Sequence, residues 1–292
     1  MLTGELMKHF FDYLKENTNK NSKLKIFVIQ GSPRTKISCS GGDSKTKYIM
    51  EEAIKKINKD VSFDVLDLNV RDDEPIVMPC KGCVGTANGF QCHWPCSCYS
   101  PNDNKVPDLM HDKNVYKRIK KADGFIVFTP VHWYACSSQV KAMFDRLVCA
   151  NLTLTVDEAK RLTNNDIKNS KKNVELEQSG KYKSLLKNHL EGKVGAFFIH
   201  GNNGADDYNG KRKPLSMVDV EHKISPIEAI MPIVNQCRYS GIFVPENLIV
   251  GLNFASDEYY SVSNELIKKE KLIVDKAVNL INNLIEEIKK LR

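Results

Sequence analysis

Short apolar runs of strand length, alternating with segments of helical period, set the strongest limit on what this chain can fold into. Leu24–Gln30, Phe63–Leu68, Gly124–Thr129 and Val194–His200 read as strands, with a further short one near Asn247–Val250. Between them, apolar residues recur at helical spacing: Tyr48, Ile49, Ala53, Ile54 and Ile57, then residues 112–121, then Val140, Phe144, Leu147 and Val148, then residues 226–239. A closing stripe of Ile273, Ala277, Leu280, Leu284, Ile288 and Leu291 predicts one long helix. A strand that is apolar at nearly every position is buried on both faces, which is the mark of a parallel sheet covered by helices on each side. The expectation is therefore an α/β, three-layer, doubly wound parallel sheet of about five strands. Ligands of such sheets sit beyond the carboxyl ends of the strands, where the strand order reverses. That directs attention to residues 31–46, 130–137 and 200–207.

Composition narrows the setting. With 292 residues, 41% hydrophobic and 27% charged, the chain has enough apolar material for a large core and is not a disordered polymer. No apolar run approaches the roughly 20 residues of a membrane span. The opening residues carry Lys8, Asp12, Lys15 and Glu16 within their apolar pattern, unlike a secretory leader. A cytoplasmic protein without a membrane partner is expected. The net charge of +7 is mild and lies largely in polar stretches such as Lys168–Lys187, so it reads as a solvated surface and not as a nucleic-acid face. One domain is expected over residues 23–260, preceded by an N-terminal helical extension (1–22, with Leu6, Phe10 and Leu14 on one face). A C-terminal helix (261–292) is expected to pack on the same domain. A cysteine-rich loop (80–104) and a polar insertion (151–191), with a helical fragment at Tyr182–Leu190, interrupt the pattern.

The loop after the first strand, Gly31 to Thr46, supplies hydroxyls, cations and backbone N–H groups beside a helix N-terminus, the ingredients for holding a phosphate. Two common phosphate motifs do not fit its spelling. The triphosphate loop requires Gly where this chain has Ser44, and the dinucleotide fingerprint requires Gly where it has Pro33. A hydroxyl-lined monophosphate site fits better. Downstream, Pro130 ends the third long strand and three aromatic rings follow, His132-Trp133-Tyr134. Lys141 and Asp145, four apart on one helix, read as a surface support pair.

Together, Gly31-Ser32-Pro33-Arg34, the hydroxyl-rich loop to Thr46, Thr129-Pro130-Val131-His132-Trp133 and the helix segment Ser138–Leu147 resemble the NADPH-dependent FMN reductase family, which has a flavodoxin-like fold. The resemblance implies an FMN-dependent NAD(P)H oxidoreductase of flavin- or quinone-reductase type. Hydride would pass from NADH or NADPH, the co-substrate, through bound FMN to a small-molecule acceptor. It implies a phosphate site of Ser32, Arg34, Ser44 and Thr46 with Ser38 and Ser40 beside them, and a ring site of Pro130, Val131, His132, Trp133, His200 and Gly201. No catalytic side chain is implied, because the cofactor carries the hydride chemistry. His132 stands where the family commonly has Tyr. A homo-oligomer is expected.

Five thiols crowd 19 residues: Cys80, Cys83, Cys92, Cys96 and Cys98. Such spacing suits an iron–sulfur cluster or tetrahedral zinc, or else buried and redox-active thiols without metal. The segment also resembles the iron–sulfur flavoprotein branch, except that Thr86 falls where a compact cysteine run would place its third ligand. Two further functions follow: an iron–sulfur flavoprotein electron carrier, and a zinc-binding interaction module on the same scaffold.

Overall fold

The computed structural model describes residues 23–38, 44–58, 60–70, 74–83, 92–99, 106–167, 169–201, 226–253 and 264–292. The expected N-terminal helix, Ser40 and parts of the cysteine-rich loop lie outside these.

Five long strands form the main sheet: β1 (Leu24–Gln30), β2 (Val61–Asp67), β4 (Gly124–His132), β7 (Val194–Gly201) and β8 (Ile249–Asn253). They run parallel in the order β2-β1-β4-β7-β8. This is the flavodoxin-like doubly wound order, whose switch point falls between β1 and β4. Register explains why the strands are apolar throughout. Ile26 and Val28 of β1 and Ile126 and Phe128 of β4 enter one core, whereas Phe27, Ile29, Phe125 and Val127 enter the other. Adjacent side chains point to opposite faces of a strand, so two cores demand apolar residues at every step.

Helices cover both faces. α1 (Lys45–Lys55) and the long α8 (Asn264–Leu291) supply Ile49, Ala53, Ala277, Leu280, Leu284, Ile288 and Leu291 to one core. α3 (Val115–Lys121), α4 (Ser138–Leu147) and α7 (Pro226–Tyr239) supply Ile119, Val140, Phe144, Ile230 and Val234 to the other. A short α2 (Leu109–Asp112) precedes α3, so the expected helix over 112–121 is split in two. Lys141 and Asp145 do form an ion pair along α4.

Two local readings need correction. Pro130 does not stop β4; the strand continues to His132 and turns back through a two-residue hairpin into β5 (Ala135–Cys136). Pairing with β1 ends at Phe128, so the N–H that proline lacks costs no ladder bond to that neighbour. Trp133 and Tyr134 form the turn with φ of 45° and 68°, left-handed values that such tight hairpins require. Nor is Tyr182–Leu190 a helix, having only a 3-10 turn at Lys183–Leu185. The insertion instead builds β6 (Leu154–Thr155), α5 (Val156–Leu162) and α6 (Ser170–Ser179). α5 opens with a capping box, in which the Thr155 hydroxyl accepts the Glu158 N–H and Glu158 accepts the Thr155 N–H. β6 pairs with β3 (His93–Trp94) of the cysteine-rich loop, so the two interruptions of the pattern pack on each other. No described helix is long and apolar enough to cross a membrane.

Candidate functional site

A crevice of about 390 Å³ opens at the carboxyl ends of β1, β4 and β7. Ser32, Pro33, Arg34, Ser38, Lys45, Thr46, Pro130, Val131, His132, His200 and Gly201 line it. The volume lies within the roughly 300–1,000 Å³ of small-molecule sites.

Each wall has a local cause. At Gly31 a Cβ would stand 2.3 Å from Val140 Cγ2, so only glycine lets the chain leave β1 this close to α4. Its N–H donates to Phe128 O at 2.7 Å, and the Ser137 hydroxyl donates to its carbonyl. These bonds fix where Ser32 and Arg34 begin. Gln30 holds the same corner from behind: its side-chain oxygen accepts the Ser32 N–H, and its Nε2 donates to Asp67 at 2.8 Å. The Ser32 hydroxyl accepts the Arg34 N–H at 3.3 Å, and the Ser38 hydroxyl accepts the Thr35 N–H at 3.0 Å. Across the crevice, a Cβ at Gly201 would lie 2.8 Å from Val131 Cβ, so β7 and β4 meet there without a side chain between them.

The field in the crevice is positive. α1 starts with Ser44 as N-cap, its hydroxyl accepting the Lys47 N–H at 3.2 Å, and no acidic residue in its first turn offsets the helix dipole. Arg34 and Lys45 add two cations. Thr46 and His200 join across the floor, Oγ1 to Nε2 at 2.9 Å. Burial, with the charge of Lys45 second, pushes the His200 pKa down to about 3. Partial desolvation, then the Arg34 charge, also lowers His132. Both imidazoles are thus held toward the neutral form, where one ring nitrogen donates and the other accepts. A surface of hydroxyls, backbone N–H groups and two cations beside a helix N-terminus suits a phosphate monoester, and the Pro130–Val131–Gly201 wall suits an apolar ring. FMN has both parts, and these residues fit it.

Of the residues expected from sequence, Ser32, Arg34, Ser38, Thr46, Pro130, Val131, His132, His200 and Gly201 come together here. Ser44 stands just behind as the helix cap. Trp133 is 94% exposed at the hairpin tip and does not line the crevice. Sequence reasoning missed Lys45 and Pro33. The signal for Lys45 was present, since it is the first residue of α1 and sits between two residues already chosen.

The cysteines occupy a different region. Arg146 of α4 is 1% exposed and pairs with the buried Asp108, its Nη2 donating to Oδ2 at 2.9 Å and its Nη1 to Oδ1 at 3.2 Å. It also donates to Tyr116 and to the Met78 carbonyl and lies over the Tyr99 ring. Around it sit the thiols. A hydrogen bond from Cys98, with help from the Arg146 charge, lowers Cys96, while the same bond and burial raise Cys98. Burial lifts Cys92 to about 12. No three His, Cys, Asp or Glu side chains among the described residues converge where a metal ion could be held. Cys80, Cys83, Cys92, Cys96 and Cys98 are neighbours, and among the described residues they are not gathered as a ligand set.

Fold and crevice together define a flavodoxin-like α/β protein with a cation-lined crevice at its switch point. Residues 24–165 match the family described as NADPH-dependent FMN reductase, which shows the resemblance over that stretch. A curated relative, the iron–sulfur flavoprotein of Methanosarcina thermophila, is 29% identical over 125 residues, covering 43% of this chain and 53% of its own. The chain thus matches about half the length of that relative. Among solved structures, Smu.1420 of Streptococcus mutans is 15% identical, with a TM-score of 0.43, over 88% of this chain and 100% of its own. The general stress protein 14 of Treponema denticola, in complex with FMN, is 12% identical, with a TM-score of 0.42, over 90% and 98%.

Proposed function

We propose that this chain is an FMN-dependent oxidoreductase that takes hydride from NADH or NADPH and delivers it to a small electrophilic acceptor of the quinone or flavin class. The observation that carries the reading is the crevice at the β1/β4 switch point, with Arg34, Lys45 and the N-terminus of α1 facing a hydroxyl-lined floor. FMN, when bound, supplies the hydride chemistry. The protein's part is to hold it. Arg34 and Lys45 would neutralise the phosphate, with Ser32 and Ser38 shaping the backbone that donates to it. Thr46 and His200 keep each other oriented, and the neutral His200 adds no charge to the crevice floor. Pro130, Val131 and Gly201 would exclude water from one side of the ring. The electron-carrier and zinc-module readings both need a thiol-held metal, and no group that could hold one stands among the described residues.

Purified protein reconstituted with FMN should quench flavin fluorescence on binding and oxidise NADH or NADPH when a quinone is added. Arg34→Ala removes a charge-assisted contact worth about 1.5–3 kcal/mol, so FMN should bind roughly 10- to 150-fold more weakly. A protein that neither carries FMN nor takes it up would overturn the cofactor assignment. FMN uptake without nicotinamide oxidation would overturn the reaction.

A further inference from the structure

We propose that Cys83 and Cys98 are a dithiol–disulfide site that exchanges with low-molecular-weight disulfides of the glutathione type. Their sulfurs are 2.9 Å apart, about 0.9 Å beyond the ~2.05 Å of an S–S bond. Both residues are partly exposed, whereas Cys92, Cys96, Cys136, Cys149 and Cys237 are buried. A small disulfide can therefore reach this pair more readily than any of those five.

The fold itself brings the two segments together. Next to Cys98, the Tyr99 hydroxyl donates to the Pro79 carbonyl at 3.0 Å, and Lys81 lies over the Tyr99 ring at 4.6 Å. Gly82, at φ +67° with open space where a side chain would stand, turns the chain just before Cys83. On the other side, Trp94 stacks on His189 at 5.4 Å and 9°, and β3 is paired with β6. Both ends of the pair are thus pinned by contacts that do not involve the two sulfurs. Closing the bond uses geometry the fold has already set.

The exchange balances. The Cys83 sulfur, giving up its proton, attacks one sulfur of R–S–S–R and expels RS⁻, which takes that proton. The Cys98 sulfur then attacks Cys83 in the mixed disulfide, and its proton goes to the second departing RS⁻. Two protein thiols are oxidised to one disulfide, and R–S–S–R is reduced to two RSH.

The test uses the full chain, reduced, desalted and exposed to oxidised glutathione. The free-thiol count should fall by two, the mass should drop by two hydrogens, and the peptide map should join Cys83 to Cys98. Cys83→Ser and Cys98→Ser should each lose the link and retain one glutathione adduct on the remaining thiol, whereas Cys80→Ser should form the link as the parent does. Alkylation mapping of the parent chain before and after oxidation decides the matter without any variant. Adducts with no internal link, a link between other cysteines, or co-purifying iron or zinc that shields both thiols from alkylation would each overturn it. None of these readouts depends on flavin binding.

Discussion

The crevice and the Arg146 region are built from similar materials and behave in opposite ways. Each contains an arginine, hydroxyls and histidine. In the crevice, Arg34 and Lys45 line about 390 Å³ of space beside the N-terminus of α1. Around Arg146 the counter-charge is internal, since Asp108 meets both Nη atoms. The lesson is that a cation points to a binding site when it lines open space. It marks a structural anchor when it is sealed against a buried carboxylate.

The widest test of that contrast is Arg146→Met. It leaves the Asp108 carboxylate buried without its partner and should cost about 3–5 kcal/mol of stability by denaturant titration. An unchanged midpoint would mean that Arg146 is not the internal anchor. Gly31→Ala places a Cβ 2.3 Å from Val140 Cγ2 and 3.0 Å from the Phe128 carbonyl. Overpacking of this kind costs about 1–3 kcal/mol, and the same titration should show it together with weaker FMN uptake. A loss of stability with FMN affinity intact would separate the corner from the site.

The pH dependence sharpens the comparison on the crevice side. His200 is held near pKa 3 when folded, against about 6.5 in an unfolded chain, so the unfolded state binds a proton that the folded state refuses. Its contribution is full above about pH 6.5 and is lost as pH falls toward 3, by roughly 1.4 kcal/mol per unit. Stability measured from pH 7 to 5 should decline along that slope, and His200→Gln should flatten it. An identical slope in the variant would remove His200 as the cause. The smallest effect is expected at Trp133. Exposed at the hairpin tip, its replacement by Ala should change stability by no more than about 0.5 kcal/mol. A larger loss would show that this ring is covered in solution.

Much of the site could be read from residue order because its parts are local. Ser32 and Arg34 follow a strand, Thr46 opens a helix, and Pro130 to His132 end the third long strand; strand–loop–helix order alone brings such segments to one edge of a parallel sheet. The Thr46–His200 bond spans 154 residues, and nothing in either neighbourhood announces it. Lys45 was hidden in plain view, since lysine on a helix is usually a solvated side chain and only the crevice distinguishes this one. Arg146 and Asp108 were equally silent. Each looks like an ordinary surface charge until α4 and α2 turn both inward.

By itself the sequence determined the alternation of elements, the two-faced burial of the sheet and the hydroxyl-rich loop after β1. These follow from side-chain period and backbone chemistry within a few residues. Tertiary structure alone decided that β4 runs through Pro130 into a hairpin and that the insertion docks on the cysteine-rich loop through β3 and β6. It also decided that Cys83 meets Cys98. Those outcomes depend on which distant groups arrive as neighbours, and that is settled by packing and by the pairing of buried charges.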